Sequence, residues 1–174
     1  VIRMQPGDIV LQPPGIRHRV LATSPGFDIV EVGCPADHLT SFDHSMTLPN
    51  GTYGDHEWGG QQFVFSSPGD FSDGWDHAGF SSDDSGIGAA TRGVVEVRRV
   101  KTSNHSEVSE FSPFSFRFIF VMDGDIAVTT ADGECHRLES GDSIALPPAA
   151  HATVAQGARE ASLLDVLVPQ TPAS

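Results

Sequence analysis

The chain has 174 residues, 39% of them hydrophobic, which is enough for one ordinary domain or two very small ones. Asp and Glu number 23 against 10 Lys and Arg, which gives a formal net charge of -13 at pH 7. Such a surface repels the phosphates of nucleic acids and of anionic membranes, so we expect neither as a partner. The sequence also lacks a long apolar run and a signal-peptide pattern, and we expect a cytoplasmic protein.

Short apolar runs separated by glycine and proline predict strands and little helix along the chain. The predicted strands are rich in Val, Ile and Phe and are bounded by turn residues; in chain order they are Ile9 to Gln12, His18 to Ala22, Phe27 to Val32, Gln62 to Phe65, Val94 to Val100, Phe114 to Met122, Asp125 to Thr130, Glu134 to Leu138, Ser143 to Leu146, Thr153 to Ala155 and Ser162 to Val168. Their spacing predicts an all-β barrel or sandwich.

Two Asp-Gly pairs fall between predicted strands, at Asp123-Gly124 and Asp132-Gly133. Asp-Gly supplies the positive φ of a tight turn, so both pairs predict hairpins.

Between Cys34 and Thr91 the composition changes to Gly, Ser, Asp, His and Pro. This segment is too long for a structureless loop inside one compact domain. We interpret it as a connection whose scattered aromatic residues hold it against a barrel.

Two segments of the chain resemble each other. Residues 7–18 read Gly-Asp-Ile-Val-Leu-Gln-Pro-Pro-Gly-Ile-Arg-His, and residues 141–151 read Gly-Asp-Ser-Ile-Ala-Leu-Pro-Pro-Ala-Ala-His. In each, Gly-Asp opens a turn into an apolar strand, a proline pair ends that strand, and a histidine begins the next one. The pattern predicts a hairpin that delivers one imidazole to the mouth of a barrel.

These segments resemble the second conserved motif of the cupin superfamily, which has glycine, five residues, proline, one residue, glycine, two residues and histidine. Residues 7–18 match it at every defined position and end on His18. Residues 141–151 match less fully, because Ala149 replaces the second glycine and His151 comes one residue early.

The run from Phe116 to Gly124 also resembles the end of the first cupin motif. The resemblance implies an all-β, double-stranded β-helix fold, with one nearly complete barrel and one incomplete barrel, as in bacterial bicupin proteins. It divides the chain into four parts. Residues 1–33 are the carboxy-terminal half of a first cupin barrel, residues 34–90 are a connection, residues 91–169 are a second cupin barrel, and residues 170–174 are a tail. The first motif of the first barrel is expected upstream of Val1.

The resemblance also implies a metal site, since cupins hold a divalent metal with a His-x-His pair and a glutamate from the first motif and a histidine from the second. Such ligands suit Fe, Mn, Ni, Cu or Zn. His18 is the candidate metal ligand of the first barrel. In the second barrel Arg117 occupies the glutamate position, counted back from Gly124, and phenylalanines stand near the histidine positions. Because a guanidinium cannot ligate a metal, we expect the second barrel to bind none.

Arg117 and His151 are the candidate ligand-binding residues, and each has a structural alternative. Arg117 alternates with Phe116 and Phe118 and so lies on the opposite face of its strand. If that face lines the barrel, the charge needs a carboxylate of the protein or of a ligand; if it faces outward, water solvates it. His151 has no evident partner, and His18 could simply hydrogen-bond a backbone carbonyl.

Two function hypotheses remain open from the sequence, besides a third in which the chain is a truncated remnant with little activity. The first is a binding protein for a small organic ligand, without an intact metal site in this chain. The alternative is a metal-dependent, dioxygenase-like enzyme whose remaining ligands lie upstream of Val1. In either case we expect a homodimer, because an incomplete barrel leaves strand edges and an apolar face uncovered.

Overall fold

The computed structural model describes residues 1–34, 45, 56–77, 79–103, 107–108, 114–148 and 150–170. Within these residues the chain forms fourteen strands and one helix, α1, Ile87–Ala90. The strands are β1 Ile9–Leu11, β2 Glu57–Trp58, β3 Gln61–Gln62, β4 Val64–Ser66, β5 Ser72–His77, β6 Phe80–Asp84, β7 Glu96–Thr102, β8 Glu107–Val108, β9 Phe114–Asp123, β10 Asp125–Thr130, β11 Cys135–Glu139, β12 Ser143–Leu146, β13 Ala152–Gln156 and β14 Ser162–Pro169. The prediction of an all-β fold is confirmed. In the described part of the chain, no helix has the length and apolar character needed to cross a membrane.

Two antiparallel sheets form the body of the protein. The larger has six strands in the order β12-β9-β14-β7-β6-β5, and the smaller has four in the order β11-β10-β13-β8. Two small two-stranded sheets, β1-β4 and β2-β3, complete the described strands. Strand β9, ten residues long, lies between β12 and β14 in the larger sheet and is the longest strand described.

The main hydrophobic core draws on both large sheets. Ile119 and Val121 of β9 and Ile126 and Val128 of β10 are at most 1% exposed and belong to one cluster. Burying each such side chain contributes about 1.5–3 kcal/mol. Because side chains alternate along a strand, these residues define an inner face for each large sheet, and we use that term below.

A second apolar cluster covers the outer face of the six-stranded sheet. Its members are Ile9 and Leu11 of β1, Val64 of β4, Ile87 of α1, Val95, Val97 of β7, Phe118 of β9, and Leu164 and Val166 of β14. Two buried serines connect the same regions: the Ser66 hydroxyl donates to the Ser85 carbonyl, and the Ser85 hydroxyl donates to the Val97 carbonyl, both at 2.7 Å. The amino-terminal residues of the chain therefore pack on the sheet formed by the carboxy-terminal ones.

The segment interpreted as a connection contributes two strands to the large sheet. Strand β6 pairs with β7 from Phe80 opposite Thr102 to Asp84 opposite Arg98, and β5 pairs with β6. Phe80 and Ser82 are buried while Ser81 is exposed. Buried and exposed residues thus alternate along β6, as in other strands. Most of these residues are serine or aspartate, however, so hydrophobicity alone does not predict a strand here.

The predicted strands His18 to Ala22 and Phe27 to Val32 are wrong: both stretches are irregular. Their apolar residues Val20, Leu21 and Ile29 are 66%, 59% and 58% exposed. A strand pattern forms a strand only where another backbone pairs with it, and within the described residues neither stretch has such a partner. The assignment of residues 1–33 to a first barrel stays a prediction.

The two Asp-Gly turns have different roles. Asp132-Gly133 joins the paired strands β10 and β11, as predicted, with the Gly133 amide donating to the Thr130 carbonyl at 2.8 Å. Asp123-Gly124 does not form a hairpin, because β9 belongs to the six-stranded sheet and β10 to the four-stranded one. It is the corner at which the chain passes from one sheet to the other.

The corner places a strict demand on Gly124. Its φ is +80°, and a Cβ added there would lie 2.0 Å from the Glu160 carbonyl oxygen. Gly133 has a similar φ of +85°, but a Cβ there would meet nothing within 4 Å. We expect Gly133→Ala to lower the free energy of unfolding by about 1–2 kcal/mol through backbone strain alone. Gly124→Ala should lower it by clearly more, measured by urea denaturation of both variants. Equal losses would contradict a steric role for the corner.

Asp125, just after the corner, fixes the turn that precedes β14. Its carboxylate accepts hydrogen bonds from the backbone N–H groups of Ala158 at 2.7 Å and Arg159 at 3.0 Å. The Arg159 guanidinium also donates to it, at 3.3 Å. These donors, the Ala158 amide foremost, lower the pKa of Asp125 below its usual 3.8.

The lowered pKa predicts a pH dependence of stability. A carboxylate with a lowered pKa in the folded state stabilises it above the pKa of the unfolded chain, and that contribution is lost as pH falls through the folded-state value. Between about pH 5 and pH 2 the wild-type urea midpoint should therefore fall more steeply than that of Asp125→Asn, which has no charge to lose. Asp28→Asn, in the exposed irregular segment, is the matched control and should follow the wild-type slope. Parallel curves for wild type and Asp125→Asn would count against this role.

Candidate functional site

Arg117 lies on the inner face of the six-stranded sheet. Along β9, Arg117, Ile119 and Val121 are buried, and the intervening Phe118 and Phe120 are only partly so. Register places Arg117 opposite Leu146 of β12 and Leu167 of β14. This is the end of the sandwich away from the corner at residues 123–125, which we call the distal end. Of the two orientations open from the sequence, the structure has the barrel-facing one.

The guanidinium of Arg117 is paired with a carboxylate of the protein. Its Nε donates to Oδ1 of Asp165 at 2.7 Å and its Nη2 donates to Oδ2 at 3.0 Å, a two-point contact of the kind that matches the planes of the two groups. The two side chains are 9% and 4% exposed. Asp165 stands on the inner face of β14, between Leu163 and Leu167, diagonally across from Arg117. The charge that the sequence placed in an apolar strand is therefore neutralised inside the fold.

Sequence reasoning missed Asp165, although a signal for it exists. It is the one acidic residue in the predicted apolar strand Ser162 to Val168, as Arg117 is the one basic residue in its own strand. Two opposite charges in two apolar strands of one sheet are natural partners, since an unpaired buried charge is strongly destabilising.

A second ion pair lies on the same face, nearer to solvent. Arg98 of β7 stands opposite Asp165, and Glu96 stands opposite Leu167, so both belong to the inner face. The Arg98 Nη2 donates to Oε2 of Glu96, with the two side chains 27% and 32% exposed. Asp84 of β6, opposite Arg98, accepts a hydrogen bond from the Gly86 amide at 2.9 Å.

Five charged residues on the inner face at the distal end form the candidate site. We call them the distal charged cluster: Asp84, Glu96, Arg98, Arg117 and Asp165. Two arginines face three carboxylates, so the cluster carries one net negative charge when all are ionised. Its buried half is the Arg117–Asp165 pair, and its solvent-reached half comprises the other three residues.

The two candidate histidines lie outside this cluster of contacts. His151 is exposed and directly precedes β13, whose first residue Ala152 pairs with Thr130 at the distal end. His18 is exposed within an irregular segment, and its Nδ1 lies 3.4 Å from the Ile16 carbonyl oxygen. This contact with a backbone carbonyl is the structural role that the sequence also allows for His18. The residue lies in an irregular segment, however, and not in the predicted strand.

The described residues do not fit the divalent metal of the cupin family. Among them, no group of three or more His, Cys, Asp or Glu side chains could hold a metal ion. At the position of the family's glutamate, Arg117 presents N–H donors, and Asp165 accepts two of them. Of the phenylalanines near the family's histidine positions, Phe111 lies outside the described residues, and Phe114 is buried at the start of β9.

Comparison with known proteins agrees with this fold. Residues 87–161 match the model of the EutQ-like cupin domain. These residues form a cupin domain, and the two packed sheets have the cupin jelly-roll fold. No curated protein sequence matches it significantly.

Two crystal structures illustrate the likeness. An RmlC-like cupin from Shewanella frigidimarina is 17% identical, with a TM-score of 0.53 over 65% of this chain and 96% of that one. A candidate ethanolamine utilization protein Q from Salmonella typhimurium is 13% identical, with a TM-score of 0.51 over 63% of this chain and 87% of that one. At these identities the likeness is one of fold.

The buried pair predicts an asymmetry between single and double substitutions. Arg117→Met leaves the Asp165 carboxylate buried without a partner, so we expect a loss of about 3–5 kcal/mol in the free energy of unfolding. The double variant Arg117→Met with Asp165→Leu removes both charges and should recover most of that loss. Urea denaturation of both variants measures the difference. A double variant as unstable as the single one would show that the pair has some other role in the core.

Proposed function

We propose that this cupin binds a small organic molecule at the inner face of its distal end, without a transition metal in the second barrel. The observation that carries this proposal is the buried Arg117–Asp165 ion pair at the position where the family resemblance places a metal-binding glutamate. A guanidinium stays protonated at physiological pH, so it supplies a fixed positive charge there and no lone pair.

The composition of the distal end supports binding of an organic ligand. Small-molecule sites are mostly apolar and carry a few fixed polar groups that orient the ligand. Leu146 and Leu167 flank Arg117 in the strand register, while Glu96 and Arg98 contribute partly exposed charges on the same face. Because strands hold all of these residues, their backbone positions are fixed before a ligand arrives.

A metal-dependent, dioxygenase-like enzyme is the alternative function. The complete second motif that ends on His18 favours it, together with the exposure of the imidazole, whose Nδ1 lies 3.4 Å from a backbone carbonyl oxygen. In this alternative His18 would be one ligand, and further ligands would come from upstream of Val1. His18 would then hold the ion through one ring nitrogen.

Elemental analysis of the purified full-length protein separates the two functions, because that protein includes any residues upstream of Val1 that the alternative requires. We expect far less than one equivalent of Fe, Mn, Ni, Cu or Zn per chain, since one imidazole gives only weak affinity. His18→Ala and His151→Ala form a matched pair, because both histidines are exposed. Stoichiometric metal that disappears only in His18→Ala would establish the alternative. Metal that disappears only in His151→Ala would refute a metal-free second barrel.

A further inference from the structure

Arg98 has hydrogen-bonding capacity that the fold leaves unused. A guanidinium carries five N–H donors, and among the described residues the guanidinium of Arg98 makes one hydrogen bond, from Nη2 to Glu96. In contrast, Arg117 engages both oxygens of Asp165. The two arginines of the distal charged cluster therefore differ: one is committed to the core, and the other can bind a further partner.

The two arginines also differ in how far their side chains and partners are exposed to solvent. The side chains of Arg98 and Glu96 are 27% and 32% exposed, whereas those of Arg117 and Asp165 are 9% and 4% exposed. A molecule that enters the distal end from solvent therefore meets Arg98 and Glu96 first. It meets them on the inner face, beside the apolar side chain of Leu167, where water competes less strongly for their hydrogen bonds.

The charges of Arg98, Glu96 and Asp84 determine which chemical class of ligand this part of the cluster favours. Arg98 offers a planar fork of donors, the geometry that matches a carboxylate. Glu96 and Asp84 are two carboxylates against this single arginine, so the group carries one net negative charge and favours a ligand that also brings a cation. The whole chain, at -13, opposes the approach of a dianion. A carboxylate and an ammonium on one small molecule satisfy all three conditions.

We propose that Arg98, Glu96 and Asp84 bind a small amino carboxylate in its zwitterionic form. The ligand carboxylate takes the place of Glu96 at the Arg98 guanidinium, and the ligand ammonium donates to Glu96 and Asp84. This assignment rests on the proposed function, since it names the chemical class of the molecule bound at the distal end.

Calorimetric titration of the full chain tests the assignment. The zwitterionic probes are glycine, β-alanine, 4-aminobutanoate and 5-aminopentanoate, which separate the two charges by increasing distances. Butylamine and butanoate are the single-charge controls. We expect at least one zwitterion to bind and both single-charge compounds to bind at least about tenfold more weakly, because each lacks one charge-assisted contact.

Three variants locate the site. Arg98→Gln and Glu96→Gln should each weaken zwitterion binding about tenfold or more. Arg99→Gln is the matched control: Arg99 is the next residue on β7, lies on the opposite face and pairs with Asp83. It should leave the affinity unchanged.

The outcomes are distinguishable. Zwitterion binding that survives both Arg98→Gln and Glu96→Gln, or that is lost equally in Arg99→Gln, overturns the assignment. If no zwitterion binds but other small organic molecules raise the thermal midpoint of the wild-type protein, this inference fails and the proposed function stands. If no small molecule of any charge class binds, both fail.

Discussion

A charge placed between two apolar sheets needs an opposite charge, and the inner face of this protein meets that requirement with one buried ion pair. Arg117 stands in the longest described strand, with Ile119 and Val121 continuing the same face into the core. Asp165, on the neighbouring strand, meets it with both oxygens. Since either residue alone would be strongly destabilising, a charge at one of these positions on β9 and β14 requires its opposite at the other.

The same pair changes what the cupin scaffold can do. In the family, convergent side chains on the inner face hold a metal, whereas here a guanidinium supplies the positive charge from within the chain. Arg117 and Asp165 form a closed ion pair at this position. In the function proposed above, the ligand contacts groups at the distal end that remain partly exposed, and Arg98 and Glu96 are such groups.

Much of the fold could be predicted from the sequence, because apolar alternation and turn residues determine most strands of the two large sheets. The bounds of β10 and β12 agree with the prediction to the residue. Prediction failed where a strand depends on pairing with a segment far away in the chain. Phe27 to Val32 has the pattern of a strand but no pairing partner among the described residues. Strand β6 pairs with β7 but lacks an apolar pattern. At the site, the motif identified Arg117, but its partner and the Glu96–Arg98 pair follow from strand register, which local patterns do not specify.

The outer face of the six-stranded sheet packs against residues from far upstream in the chain. The match to the cupin domain begins at residue 87, yet Ile9, Leu11 and Val64 cover Phe118 and Leu164 from far upstream. Strand β6 likewise precedes the match and closes the edge of β7. The region that matches the cupin domain is thus smaller than the region that packs together. Substitutions in the first dozen residues can therefore alter the stability of a sheet more than a hundred residues away in the chain.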